Sequence, residues 1–502
     1  MNIAKSLILS LCLPLAGNLF ALDISTEAGN LGMTMRQDDY TTTSLTVSGS
    51  LNAADFDFIN HNLKNLTDLD LKAATIAAYS GERVLTGGTV YDADELPAFS
   101  LMGMPLQRVV LPASLLSIGE GALASTSITE ITLPEGLLNI NSHAFSACPD
   151  LKNIVIPATV TSMGNGVFAD CKALETVDLG TLATIAPRTF DGCVSLSKVI
   201  SSPTVSIIGQ AAFRSTTSLA NFEFPASLNA IDPEAFYQSG IKIVDLSPCF
   251  SLGSIGDFAF AKCGMLTDVI FIKKVKIGQG VFFDDCSLNT FELPSAMSII
   301  PEFTFKGASS INPSAILGIG LTEVRDYALT GWSNIVELAL PESLEYIGDN
   351  AMEGWTSLNT LDVSEIRNVP ELGQSVWENV DQPGVTLIVH PDDVDVYTAA
   401  DQWNRFNIKA KKLDTTTEAP GIGNSNNGIE VAYRDNTLSI TSAEERIANV
   451  IIYALDGRRK YAKKVDAQRI EISTEGWNSV VVAAKVTLAN GATTSFKVQV
   501  AK

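Results

Sequence analysis

Residues 151–174 read LKNIVIPATVTSMGNGVFADCKAL. The same punctuation returns along the chain: an aliphatic residue, an apolar-x-apolar-Pro run, a serine between apolar residues, a glycine, a phenylalanine, and a small residue three places after it. Aligned on the opening aliphatic residue, the segments start at Leu106, Ile128, Leu151, Leu174, Leu196, Leu219, Ile241, Leu266, Leu288, Ile311, Ile335 and Leu358, in steps of 22 to 25 residues. A compact core gives every element a different neighbour. A near-constant period over half a chain means that each unit stacks on a copy of itself, which is a solenoid.

Inside a unit, Ile154 and Ile156 alternate with Val155 and then meet Pro157. Period-two alternation ending at proline reads as a short strand, stopped where the chain loses an amide donor. LQRVVLP from Leu106, ITEITLP from Ile128, LNTFELP from Leu288 and IVELALP from Ile335 repeat the pattern. The following glycine is expected to reverse the chain through a positive φ. Stacking places Phe145, Phe168, Phe190, Phe213, Phe236, Phe260, Phe283 and Phe305 in one internal spine, each ring contributing about 1.5 to 3 kcal/mol by burial.

Three residues after the phenylalanine stand Cys148, Cys171, Cys193, Cys263 and Cys286, replaced in other units by Thr126, Thr216, Ser239, Ala308, Trp332 and Trp355. Interchange with Thr, Ser and Ala describes a small, half-buried site where a reduced thiol acts as a compact hydrophobe. Free thiols are therefore expected rather than disulfides, which need strict geometry. Cys249 has no counterpart in the column, and the absence of a CxxC pair argues against a metal site.

Period, proline, glycine, phenylalanine and cysteine together resemble the leucine-rich repeats of the BspA-like bacterial surface proteins over about residues 106 to 365. The resemblance implies an α/β-type solenoid, a right-handed superhelix that is strand-rich with short helical turns. It also implies binding or adhesion at a host component without catalysis. The pattern loosens at Ile311–Leu329, and at Leu196 the proline shifts by one.

An open solenoid end exposes core and needs a cap. VTLIVHPDDVDVYTAADQWNRFNIKA, residues 385–410, resembles the closing element of this family, and LTDLDLKAATI from Leu66 resembles a degenerate first unit. The organisation read from the sequence is then a signal peptide over 1–21, an N-terminal cap over 22–105, the repeat array over 106–384, its C-terminal cap over 385–412, a Thr/Gly/Asn-rich linker over 413–428, and a small all-β sandwich over 429–502. The last follows from short alternating strands such as TLSIT, NVIIYAL and RIEIST. IIYALDGRRKY and the terminal strand resemble the sorting domain of the Bacteroidetes type IX secretion pathway, although GWNSVVVAAKV replaces the usual Gly-x-Tyr run. Asp414–Thr416, DTT, resembles an O-glycosylation acceptor, but three residues are a weak motif and the solvated linker is the preferred reading.

Lys5, the apolar run Leu7–Leu15 and a cleavage point after Leu19-Phe20-Ala21 lay out a secretory signal. The expected location is therefore secreted or the outer cell surface. Leu11 before Cys12 fits lipid attachment poorly. No later stretch is long and apolar enough to span a membrane. A formal charge of -22 and a pI near 4.5 repel phosphate backbones and anionic lipid, which excludes nucleic acid as a partner class. The expected state is a monomer.

Chemistry-bearing constellations are missing. His61, His143 and His390 stand apart from any paired metal spacing, and no GxSxG elbow, P-loop or strand-linked GxGxxG occurs. FDDC at Phe283 and HPDDVDVY at His390 lack the alternate-position ligands of a calcium loop and read as turn carboxylates and helix caps. The expectation is no enzyme, no cofactor and no metal.

The outward strand positions are more informative. They carry Asp178, Glu223, Asp245, Asp268, Glu292, Glu337 and Asp362 among apolar residues, with Lys198 the lone cation from Asn153 to Thr360. This acidic strip is the candidate ligand face for a protein or glycan. The competing reading is the solvated face of an acidic protein. A glycan-binding accessory of a carbohydrate-uptake system is the alternative function. It calls for exposed aromatic ladders, and the outward positions hold none.

Overall fold

The computed structural model describes residues 21–411 apart from 273, 286, 289, 292–296, 312–316, 318 and 319, and residues 424–499 apart from 427, 435, 444, 455–458, 476, 478–480 and 490–492. Two compact units result, divided between Lys411 and Lys412. The first is the solenoid. Most turns contribute a three-residue strand and a two-residue strand, and these pair in parallel with their counterparts one repeat away. Asn153–Val155 lies beside Thr176–Asp178, and that strand beside Lys198–Ile200. On the second face Thr184–Ile185, Ile207–Ile208, Ala230–Ile231 and Ser254–Ile255 pair in sequence. Constant register puts Ile154 over Val177, both buried.

The strand-end proline opens a tight turn. The Pro157 carbonyl accepts the Val160 amide at 3.0 Å, and Pro134 and Pro341 do the same for Leu137 and Leu344. At Leu196 the displaced proline leaves this role to Ser202, whose carbonyl accepts the Val205 amide at 3.2 Å.

The glycines work differently from the expectation. Gly119, Gly164, Gly209 and Gly256 are not in the left-handed region; a Cβ on them would strike the backbone of the preceding turn, at 2.6 Å from the Ala98 nitrogen for Gly119 and 2.7 Å from the Pro187 nitrogen for Gly209. Close stacking of turns, not chain reversal, requires them. The positive φ falls two residues later, at Gly121, Gly166, Ala211 and Phe258. There the amide reaches across to the next turn: Gly166 N–H donates to Pro187 and Phe258 N–H to Gln279, both at 2.9 Å.

The phenylalanines form the expected spine with one correction. Phe145, Phe168, Phe190, Phe213, Phe236, Phe260, Phe282 and Phe305 stack ring on ring, centroids 5.1 to 5.9 Å apart and planes within 17°. The member from the Phe282-Phe283 pair is Phe282; Phe283 sits half-buried against Phe258. The column three residues on is therefore filled in that turn by Asp285, fully buried. Cys286 lies outside the described residues.

That column is also more than a set of small hydrophobes. Cys171 Sγ donates to the Phe145 carbonyl at 3.0 Å, Cys193 to Phe168 at 3.0 Å and Cys263 to Phe236 at 3.1 Å. Where tryptophan replaces cysteine, its indole N–H takes over: Trp332 donates to Phe305 at 3.2 Å and Trp355 to Leu329 at 2.9 Å. Cys, Thr and Trp share a donor aimed at a buried carbonyl, Thr126 and Thr216 reaching Leu123 and Phe213, a bond worth about 0.5 to 1.5 kcal/mol net; Ser239 instead lies 3.4 Å from Cys263 Sγ. All five described cysteines are free and buried.

At the N-terminal end the parallel sheet already includes Ala21–Thr26 and Ser44–Leu51 before Asp68–Ile76 and Arg108–Val110. A helix at Ala53–Asn62, capped by Asn52 accepting from the Ala54 amide at 3.0 Å, lies between the second and third strands. At the other end Thr386–Val389 and Asn407–Ala410 close the sheet. Trp377, Trp403 and Phe406 plug the core edge-to-face. The second unit has two four-stranded antiparallel sheets sharing a core of residues such as Val431, Ile440, Val450, Ile452, Val486 and Phe496. Among the described residues no helix is long and apolar enough to cross a membrane.

Candidate ligand-binding face

The three-residue strands build the candidate face. Their middle residues point into the core and the flanking two point out, so adjacent turns bring outward side chains into rows. One row runs Val155, Asp178, Ile200 and continues beyond the next turn with Asp245 and Ile270. The other runs Asn153, Thr176, Lys198 and continues with Ile243, Asp268 and Thr290. Nearer the end of the array Glu337 stands beside Thr360, and Ala339 beside Asp362. The ladder breaks at the turn carrying Glu223, between Lys198–Ile200 and Ile243–Asp245. In that turn Phe222 and Phe224 fill the inward positions and pack edge-to-face on Phe236, bulkier occupants than the aliphatics elsewhere.

Not every carboxylate is available to a ligand. Asp178 accepts the Gly180 amide at 3.0 Å, Asp245 the Ser247 amide at 2.9 Å, and Asp362 the Ser364 amide at 2.9 Å. These three close the turn after their strand. Asp268 accepts from Thr267 Oγ1 at 2.7 Å. Glu223 and Glu337 are exposed, while Glu292 lies outside the described residues. The strip is thus part turn chemistry and part free charge.

Large apolar side chains share the face. Val155 is 65% exposed, and Ile200, Ile243 and Ile270 lie between 44 and 48%. Strand-face aliphatics exposed in register and interleaved with carboxylates make a mixed surface suited to another macromolecule. Among the described residues no group of three or more His, Cys, Asp or Glu could hold a metal ion. His143 and His390 are turn residues, the latter accepting the Asp392 amide at 3.3 Å. Trp332 and Trp355 are interior and form no sugar ledge.

A second concave surface, illegible in the sequence, lies where the array meets its closing element. Its residues come from three successive turns and share no motif: Tyr346 and Asp349, Glu371 to Glu378, and Asp401 to Arg405.

Comparison with known proteins follows the same lines. The model of the BspA type leucine rich repeat region matches residues 94–200, 183–312 and 276–387, and a domain of unknown function matches residues 418–500. No curated protein matches the chain. A leucine-rich repeat protein from Bacteroides ovatus ATCC 8483 is 23% identical over 73% of this chain and 88% of its own, with a TM-score of 0.60. A leucine rich cell surface protein from Faecalibacterium prausnitzii A2-165 is 17% identical over 67% of this chain and 88% of its own, with a TM-score of 0.33. The first likeness is one of fold. Because the matched repeats extend from residue 94 to residue 387, more than half of the 502 residues, the chain belongs to the BspA-type leucine-rich-repeat proteins.

Proposed function

We propose that this protein is an exported, non-catalytic binding or adhesion protein that recognises a protein partner through the exposed strand face of its repeats. The carrying observation is the in-register exposure of Val155, Ile200, Ile243 and Ile270 beside Asp178, Asp245 and Asp268. Apolar area supplies affinity and the carboxylates supply orientation and steering. Membership of a surface-protein family favours the same role, as an association and not a ligand assignment. Among the described residues the outward strand positions hold no aromatics of the kind a glycan-uptake accessory would use.

Location at the surface, removal of residues 1–21 and a sorting role for the C-terminal unit belong to the same proposal. The test is capture on matrix-protein and glycan arrays with the exported chain, followed by two variants. Val155→Ser with Ile243→Ser should weaken a strand-face ligand about tenfold or more. Lysine at Glu223, Asp245 and Asp268 together should weaken it and flatten its salt dependence. Capture that neither variant changes removes the strand face from consideration.

A further inference from the structure

The groove where the array meets its closing element has a volume of 640 Å³. Asp349, Glu371, Glu378 and Asp401 line it against a single cation, Arg405, which already lies 3.6 Å from Asp401. Asp349 is held in place by accepting the Gln374 amide at 2.6 Å. Gln402 ties the last of these turns to the one before it: its Oε1 accepts the Val376 amide at 3.1 Å, and its Nε2 donates to the Gly373 carbonyl at 2.7 Å. Tyr346 senses this charge: its phenol is pushed up by burial and then by Asp326, Asp349 and Glu371, with Arg325 opposing.

Acidity alone would describe any face of this protein. Trp377 separates the groove from the rest. It lines the groove, is 4% exposed, and its Nε1–H has no acceptor among the described residues. The other interior tryptophans are satisfied, Trp355 and Trp403 donating to the carbonyls of Leu329 and Pro370 at 2.9 and 3.3 Å. A buried donor left without an acceptor is destabilising until something supplies one. The complement of this groove therefore carries cations for the carboxylates and an oxygen acceptor for the indole.

We propose that the groove lined by Asp349, Glu371, Trp377, Glu378 and Asp401 is a second binding site, distinct from the strand face, for a lysine- or arginine-rich peptide segment. Cationic side chains meet the four carboxylates, and a main-chain carbonyl takes the Trp377 Nε1–H. Neutral sugars could answer the indole but leave the net charge of the groove uncompensated, so the peptide is favoured.

The test uses the exported chain and an octalysine peptide, with cellohexaose as the neutral probe, read by calorimetry at low and at physiological salt. The acidic protein attracts octalysine generally, so the comparison is between two variants of equal charge change. Glu371→Gln with Glu378→Gln should weaken octalysine roughly fivefold or more at low salt, whereas Glu82→Gln with Glu135→Gln, exposed and outside both the groove and the strand face, should leave it near the parent value. Octalysine should also shift the Trp377 Nε1–H proton resonance, and Trp377→Phe should remove that signal and weaken binding while keeping a ring against Trp403 and Phe406. Equal loss in the two double variants, or a Trp377 resonance that responds to cellohexaose and not to octalysine, overturns the proposal.

Discussion

Asp285 gives the sharpest prediction about stability. It occupies the position where the preceding turn places the Cys263 thiol, is fully buried, and among the described residues neither carboxyl oxygen has a hydrogen-bond partner. The nearby Cys263 amide offsets part of the desolvation without bonding to it. Burial pushes the acid well above the usual carboxylate range, with Asp284 adding to the effect and no cation to oppose it. Unfolded, the group ionises near pH 3.9; folded, it keeps its proton to higher pH. The folded state therefore holds the extra proton in that window, and stability falls as pH rises through it, by about 1.4 kcal/mol per pH unit while the folded acid stays neutral. Asp285→Asn removes the titration. Asp285→Cys also restores a donor beneath the Phe260 carbonyl, as Cys171 has beneath Phe145. Both variants should match the parent in urea unfolding near pH 4, then exceed it by a margin that grows as pH rises. A difference that does not change with pH, or a loss of stability at pH 7 on removing the carboxylate, would refute the reasoning.

Two further predictions concern the interior. Phe213→Ala takes out a ring stacked between Phe190 and Phe236 at 5.3 and 5.1 Å and should cost about 3 to 5 kcal/mol in urea unfolding. Cys171→Ser keeps a donor toward Phe145 and should cost less than Cys171→Ala, by about 0.5 to 1.5 kcal/mol in the same assay; equal losses would return the column to simple packing.

Much of the fold was legible because stacking repeats the same environment, and the same residues answer it each time. Period, strand, proline turn and phenylalanine spine all have that origin. What the sequence hid lies where two readings of one letter compete. In Phe282-Phe283 either ring suits the motif, and only packing shows that Phe282 enters the spine and Asp285 the column. The glycines suit either a reversed φ or a close approach, and the preceding turn's backbone decides for the latter. The first two strands went unseen because Ala21–Thr26 and Ser44–Leu51 carry neither proline nor the Phe-x-x-Cys signature. On the candidate face, alternation identified the outward residues, but Asp178, Asp245 and Asp362 also serve local turns, a role set two residues downstream. The groove at Trp377 joins three turns through side chains of no fixed pattern, so periodicity gave no sign of it.

The most direct measurement of the stacked interior is thiol reactivity without reductant. Burial pushes Cys193 and Cys263 well above the usual thiol range and Cys249 to about 11, and all five described cysteines are free. With an aromatic disulfide reagent, Cys148, Cys171, Cys193, Cys249 and Cys263 should be silent in the native protein and should all react once it is unfolded in denaturant. Rapid labelling of these residues in the native state, or thiols that stay silent in denaturant until a reductant is added, would contradict a column of free donors enclosed by stacked turns.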